Sequence, residues 1–245
     1  MKRFLIVPDV HVPYQDDAAI GAVVAFKRDF KPHHVVLLGD LLSADQVSPY
    51  PGDEETTLSD EFAVANDILD RLTPHVYMEG NHEQRLSRAG LVDRRIRELL
   101  SPVAGLRLKE RGVRWYPLSS IPSVSVHHLG RLRCVHGWWW GQHCAKQHAE
   151  ALGCCVFGHS HRIQCMQSKF SLGPHHVAWN IGCLCRDDIP YMMQRPPSGW
   201  GKGFAFGYLH RNGMFQLYQV QLVGPTVVIN GRSYPTGQPD PGIGP

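Results

Sequence analysis

Three short apolar stretches in the first third of the chain each stop at a carboxylate, an amide or an imidazole. "RFLIV" (3–7) runs into "PDVH", "HVVLL" (34–38) into "GD", and "HVYM" (75–78) into "EGNH". Between them, "DDAAIGAVVAFKRDF" (16–30) and "LSDEFAVANDILDRL" (58–72) repeat their apolar residues at helical spacing. Strands joined through helices by short connections form a parallel sheet, because a parallel pair needs a crossover. The carboxyl ends of such strands share one edge, where ligands collect. Asp9, His11, Asp40, Asn81 and His82 are therefore expected side by side.

The texture then changes. A basic stretch of about 82–111 is expected to be a helical insert. "VSVHHL" and "RLRCVH" form a hairpin around Gly130, and a further helix follows at about 142–152. Short strands dominate afterwards: "CCVF", "IQCMQS", "HHVAWN", "FAFGYLH" and "FQLYQVQL", the last two joined by the turn "RNG". The expectation is two packed sheets with helices outside, in one domain over 1–233, and a flexible Pro/Gly-rich tail at 234–245. Two later strands also end in imidazoles, "RLRCVHG" in His136 and "CCVFGHSH" in His159 and His161.

Asp, His and Asn without a thiolate are hard to borderline donors. The seven of them (Asp9, His11, Asp40, Asn81, His136, His159 and His161) exceed one tetrahedral site, so two ions sharing a carboxylate fit better. His159 and His161, two residues apart, would share one face of a regular strand. A bend after Gly158 allows each ion one imidazole.

Taken in order, "DVH", "GD", "GNHE", "HG" and "GHSH" resemble the calcineurin-like metallophosphoesterase family over roughly residues 4–182. The resemblance implies a four-layer α-β-β-α sandwich of two mixed sheets flanked by helices. It implies one ion on Asp9, His11, Asp40 and His161, a second on Asp40, Asn81, His136 and His159, and His82 as the catalytic histidine. Mn²⁺ is the first choice, with Fe, Zn²⁺ or Ni²⁺ as alternatives. The implied reaction is phosphoester hydrolysis, with two ions clamping phosphate oxygens and supplying a bridging hydroxide. His82, when protonated, would neutralise the leaving alkoxide.

One departure matters. In the protein Ser/Thr phosphatase branch the second motif supplies an Asp that orients the catalytic histidine, whereas "GDLLSAD" has Ser43 at that place. This weakens a phosphoprotein substrate. Phosphomonoesters, and a non-catalytic scaffold like the retromer subunit of the superfamily, stand as alternatives to nucleic acid or nucleotides.

Charge and aromatics favour the nucleic-acid reading. Arg85 to Arg114 holds nine basic and three acidic residues, a balance of +6 within a chain whose net charge is +3. "GWWWG" (137–141) follows directly on His136, so Trp138 and Trp139 are candidate stacking platforms for a base of a single strand or nucleotide, and Arg85 a candidate phosphate contact. The remaining histidines match no motif and read as structural or surface groups. Seven scattered cysteines, an odd number without a CxxC pair, argue for a reducing, cytoplasmic compartment. Cys183 and Cys185 read as small buried apolar residues. No apolar run reaches the roughly 18 residues of a membrane span, so no membrane partner is expected.

Overall fold

The computed structural model describes residues 1–50, 52–53, 55–92, 95–120, 122–168, 176–190, 199–240 and 242. Its first sheet has six strands: β1 (Lys2–Val7), β2 (His34–Leu37), β3 (Val76–Met78), β4 (Arg114–Tyr116), β10 (Gly203–Leu209) and β11 (Phe215–Gln221). They lie in the order β11-β10-β1-β2-β3-β4, with β1 to β4 mutually parallel and β10 and β11 antiparallel. The second sheet has five, β5 (His127–Leu129), β6 (Leu132–Cys134), β7 (Cys155–Phe157), β8 (Ile163–Gln167) and β9 (Val177–Ile181), in the order β5-β6-β7-β9-β8. It too is mixed.

The strict alternation of β1 explains the layering. Phe4 and Ile6 join Val36, Leu38, Val76 and Met78 against Leu132, Cys134, Val156 and Ile181 of the second sheet. Leu5 and Val7 face the other way, onto Ile20, Val23 and Phe26 of α1 (Asp17–Phe30) and Ile68 and Leu69 of α2 (Leu58–Leu72). On the far side, α6 (Cys144–Leu152) covers the second sheet through Ala145 and Ala149, packed on Cys155 and Phe157. The result is helices, sheet, sheet, helices. Local chemistry agrees with the starts of α1 and α2: Asp16 caps α1 by accepting from the Ala19 N–H, and Thr57 with Asp60 forms a capping box on α2.

Three expectations need correction. The basic stretch is not one helix: α3 (Asn81–Val92) carries its start, then turns surround the four-residue α4 (Pro102–Gly105). Pro102 is accommodated only at the start of a helix, and Gly112 has a positive φ of 66°, so neither continues the run. Val124 and Ser125 belong to the short α5 (Pro122–Ser125), so the hairpin around Gly130 is shorter than expected. The end of the chain contains β12 (Thr226–Ile229) and β13 (Arg232–Pro235), an antiparallel hairpin. Tyr234 packs among Phe26 and the α1 core, and Thr236, inside the segment expected to be flexible, is buried. No helix among the described residues is long and apolar enough to cross a membrane.

Candidate metal centre

The carboxyl ends of β1, β2, β3, β6 and β7 meet at one edge, and the residues following them form one buried cluster. Asp9, His11, Asp40, His82, His136 and His161 are each no more than 5% exposed. The backbone is bent sharply to bring them there. His11, Asp40, His159 and His161 all have positive φ, between 47° and 62°. Side chains rarely adopt that region without surrounding structure to hold it, and such strain concentrates at functional sites. Packing is equally tight: a Cβ on Gly80 would lie 2.0 Å from Asp40 Oδ1, and one on Gly158 2.0 Å from Asp9 Oδ1. Only glycine admits the carboxylates.

In one half a hydrogen bond fixes the tautomer of His136. His136 Nδ1 lies 2.8 Å from the Leu38 carbonyl and so carries the proton. Its Nε2 is then a lone pair, yet it sits 3.0 Å from Asn81 Oδ1, 3.1 Å from His159 Nδ1 and 3.5 Å from Asp40 Oδ2. His159 Nδ1 is in turn 2.8 Å from Asn81 Oδ1. In the other half, His11 Nε2 faces His161 Nε2 at 3.0 Å and Asp40 Oδ2 at 3.7 Å, while His161 Nε2 is 3.1 Å from Asp9 Oδ2. Asp40 Oδ2 thus looks into both halves, and its Oδ1 is held by the His82 N–H at 2.9 Å. Acceptors converging on acceptors is the arrangement a cation stabilises. The buried Asp9 Oδ1, which has no hydrogen-bond partner among the described residues, fits the same description.

Electrostatics point the same way. Burial pushes Asp9 up to about 7 and Asp40 well above the usual carboxylate range, Asp40 also because of the Asp9 charge. Burial, then the neighbouring imidazoles, hold His11 and His159 well below the ordinary histidine value. Buried carboxylates and neutral imidazoles are the donors a divalent ion takes. Asp9, His11 and His161 form one group whose donor atoms lie within 4.8 Å of one another, and Asp40, His136 and His159 form another.

A family model described as calcineurin-like phosphoesterase matches residues 2–163. The chain belongs to that family. Solved structures with similar folds include the metallophosphoesterase from Sphaerobacter thermophilus, at 17% identity over 84% of this chain and 82% of that one, with a TM-score of 0.41. Vps29 from Chaetomium thermophilum is 12% identical over 96% of this chain and 100% of that one, TM-score 0.38. The phosphoesterase Yfce from E. coli is 14% identical over 89% and 98%, TM-score 0.38. No curated protein matches the chain.

His82 sits beside the cluster, its ring in edge contact with His11 at 4.5 Å. Its Nδ1 is 2.7 Å from the Ser43 backbone carbonyl, which takes the orienting place that an Asp side chain would fill. Nε2 then faces Asp40 Oδ2 at 4.0 Å. Burial and the Arg85 charge keep this imidazole neutral well below its ordinary value. Arg85, one helical turn on, reaches His82 Nδ1 at 3.1 Å and Ser48 Oγ at 3.3 Å and lies over Tyr50.

Glu83, the last residue of "GNHE", has a structural role that the sequence alone does not reveal. Its carboxylate accepts from the N–H groups of Asp40, Leu42 and Gly80 and from Tyr77 Oη, which ties the second and third strand ends together. A buried acid directly after a donor pair is the signal that could have found it.

The tryptophans divide differently from expectation. Trp138 and Trp139 pack around His148 and the outer face of the second sheet, with Trp138 Nε1 donating to the Ser119 carbonyl. Trp140 is 72% exposed and stands 6.1 Å from His159, ring to ring. The loop is anchored by two indoles and presents the third to solvent. Within the basic stretch, Arg107 pairs with Glu110, Arg111 with Asp70 and Asn66, and Arg97 contacts the Gly90 carbonyl. Arg94 lies outside the described residues.

Proposed function

We propose that this chain hydrolyses phosphoesters with two divalent metal ions, on nucleotides or nucleic acid. The observation that carries the reading is Asp40 Oδ2, which faces His11 of one donor group at 3.7 Å and His136 of the other at 3.5 Å. Asp9, His11, Asp40 and His161 would hold one ion, and Asp40, Asn81, His136 and His159 the other. Such a pair supplies Lewis-acid charge to phosphoryl oxygens and lowers the pKa of water toward neutrality. Mn²⁺ suits the oxygen and imidazole donors, with Fe, Zn²⁺ or Ni²⁺ able to occupy the same set.

The chain's own residues do the rest. The Ser43 carbonyl holds the Nδ1 proton of His82, which leaves Nε2 as the atom that would first take up a proton and then pass it to the leaving oxygen. Arg85, at the same helix start, supplies a fixed positive charge for a phosphate oxygen. Trp140 offers an exposed indole beside His159 on which a base can stack, the part first assigned to Trp138 and Trp139. A panel of aryl phosphodiester, aryl phosphomonoester, single-stranded and duplex DNA, and RNA, each with Mn²⁺, tests the reading. Turnover of a diester or an oligonucleotide is the expected result. Silence on every substrate with Mn²⁺, Fe, Zn²⁺ and Ni²⁺ would leave the scaffold alternative standing.

A further inference from the structure

The segment after β9 carries two cysteines that neither the proposed metal pair nor the hydrolysis uses. Cys183 bridges to the backbones of Asp9 and Lys202, and Cys185 to that of Gln15. Extended backbone sends residues two apart to the same face. Leu184, between them, enters the helix-side core. Both thiols are fully buried, walled by Tyr14, Ile189 and Trp200. They meet His161: one donor atom from each of His161, Cys183 and Cys185 lies within 4.8 Å of the others.

We propose that Cys183, Cys185 and His161 form a thiolate metal site of their own, selective for thiophilic ions such as Zn²⁺ or Co²⁺. Bond lengths of about 2.3 Å to sulfur and 2.0–2.1 Å to imidazole place the donors of one tetrahedral ion roughly 3.5–3.8 Å apart. The three donor atoms therefore need to close by no more than about 1.3 Å, within the reach of side-chain rotation. Two cysteines and one histidine with a fourth position open is a donor set zinc takes in proteins. His161 is suited to it: its Nε2 faces Asp9 and His11, while its buried Nδ1 has no hydrogen-bond partner among the described residues. The soft donors stand directly behind a harder set of Asp, Asn and His, and the two sets share one imidazole. A thiophilic ion thus has a place from which it claims His161.

Absorbance of the full chain, loaded with Mn²⁺ and titrated with Co²⁺, tests this without any turnover, so the outcome is separable from the hydrolase reading. Thiolate bound to cobalt gives a near-ultraviolet charge-transfer band that oxygen and nitrogen donors do not. The expected result is a band that saturates by the third equivalent and is bleached by Zn²⁺. Cys183→Ser and Cys185→Ser should each remove it, whereas Asp40→Ala, which leaves the thiols in place, should keep it. A wild-type protein without the band overturns the proposal whether or not the variants fold. So does a band that survives in the double serine variant, or one that disappears in Asp40→Ala.

Discussion

Asp40 directs one carboxylate oxygen at imidazoles of both halves of the cluster and the other at the His82 N–H. Asp40→Ala should therefore lose both ions and all turnover, while His161→Ala should chiefly weaken one site. Metal analysis of the purified variants decides, and two full equivalents retained by Asp40→Ala would contradict the sharing. His82 behaves differently, because Asn81 beside it already offers the donor oxygen. His82→Ala should keep near-normal metal content and lose roughly two decades or more of kcat. That loss should shrink for a p-nitrophenolate leaving group, which needs no proton, and an equal loss for alkoxides and p-nitrophenolate would rule out acid catalysis. These residues were legible because each stands within four residues of the end of an apolar run. The partner of His82 was not legible, since a backbone carbonyl is present at every position and only the fold selects the one at Ser43.

Among the elements, α6 and the tryptophan loop are joined through His148. The Trp138 N–H donates to His148 Nε2 at 3.1 Å, so Nδ1 carries the proton and donates to the Cys144 carbonyl at 2.8 Å. Protonating Nε2 would set two donors against each other. Burial, outweighing the Cys144 bond, accordingly lowers His148 from 6.5 to about 4. A lowered imidazole favours the folded state while neutral, so its contribution is present above pH 6.5 and is lost as pH falls through about 4. The size is up to about 3 kcal/mol, at 1.36 kcal/mol per pKa unit. His148→Gln lacks this titration. The stability gap between wild type and variant should be widest near pH 8 and narrow by pH 4.5 in urea melts on metal-free protein; a gap constant with pH would contradict the tautomer argument. Sequence periodicity had no means of finding this pairing. It did find β1 to β3, α1 and α2, whose apolar spacing is long and regular. The hairpin of β12 and β13 went unread although Asn230-Gly231, both with positive φ, is a strong two-residue turn signal. The Pro and Gly residues that follow it read as a tail.

For the molecule as a whole, the charge is placed rather than spread. The span 85–114 sums to +6 and the remainder to −3. The fold spends part of that charge internally, as Arg107 and Arg111 are matched by Glu110 and Asp70. It leaves α3 as the element that connects the basic segment to the metal centre: Asn81, His82 and Arg85 stand at its start, and the exposed Arg88 comes one turn later. Arg97, also exposed, follows beyond its end. A single strand entering along this path would contact phosphates through Arg88 and Arg97 before reaching Arg85. Each contact releases counterions, with a log–log salt slope of about −0.7 per phosphate for a single strand. The Arg88→Gln/Arg97→Gln variant should therefore flatten the slope by about 1.4 and raise KM for oligonucleotides. Turnover of a small aryl ester should be unchanged, because neither side chain belongs to the metal cluster. Trp140→Ala should instead cost oligonucleotide affinity equally at low and high salt, by about 1–3 kcal/mol per stacked base. Binding titrations from low to high salt separate the two effects. If the arginine variant handles oligonucleotides and aryl esters alike, the segment is a solvated face, and the nucleic-acid reading falls while phosphoester hydrolysis does not.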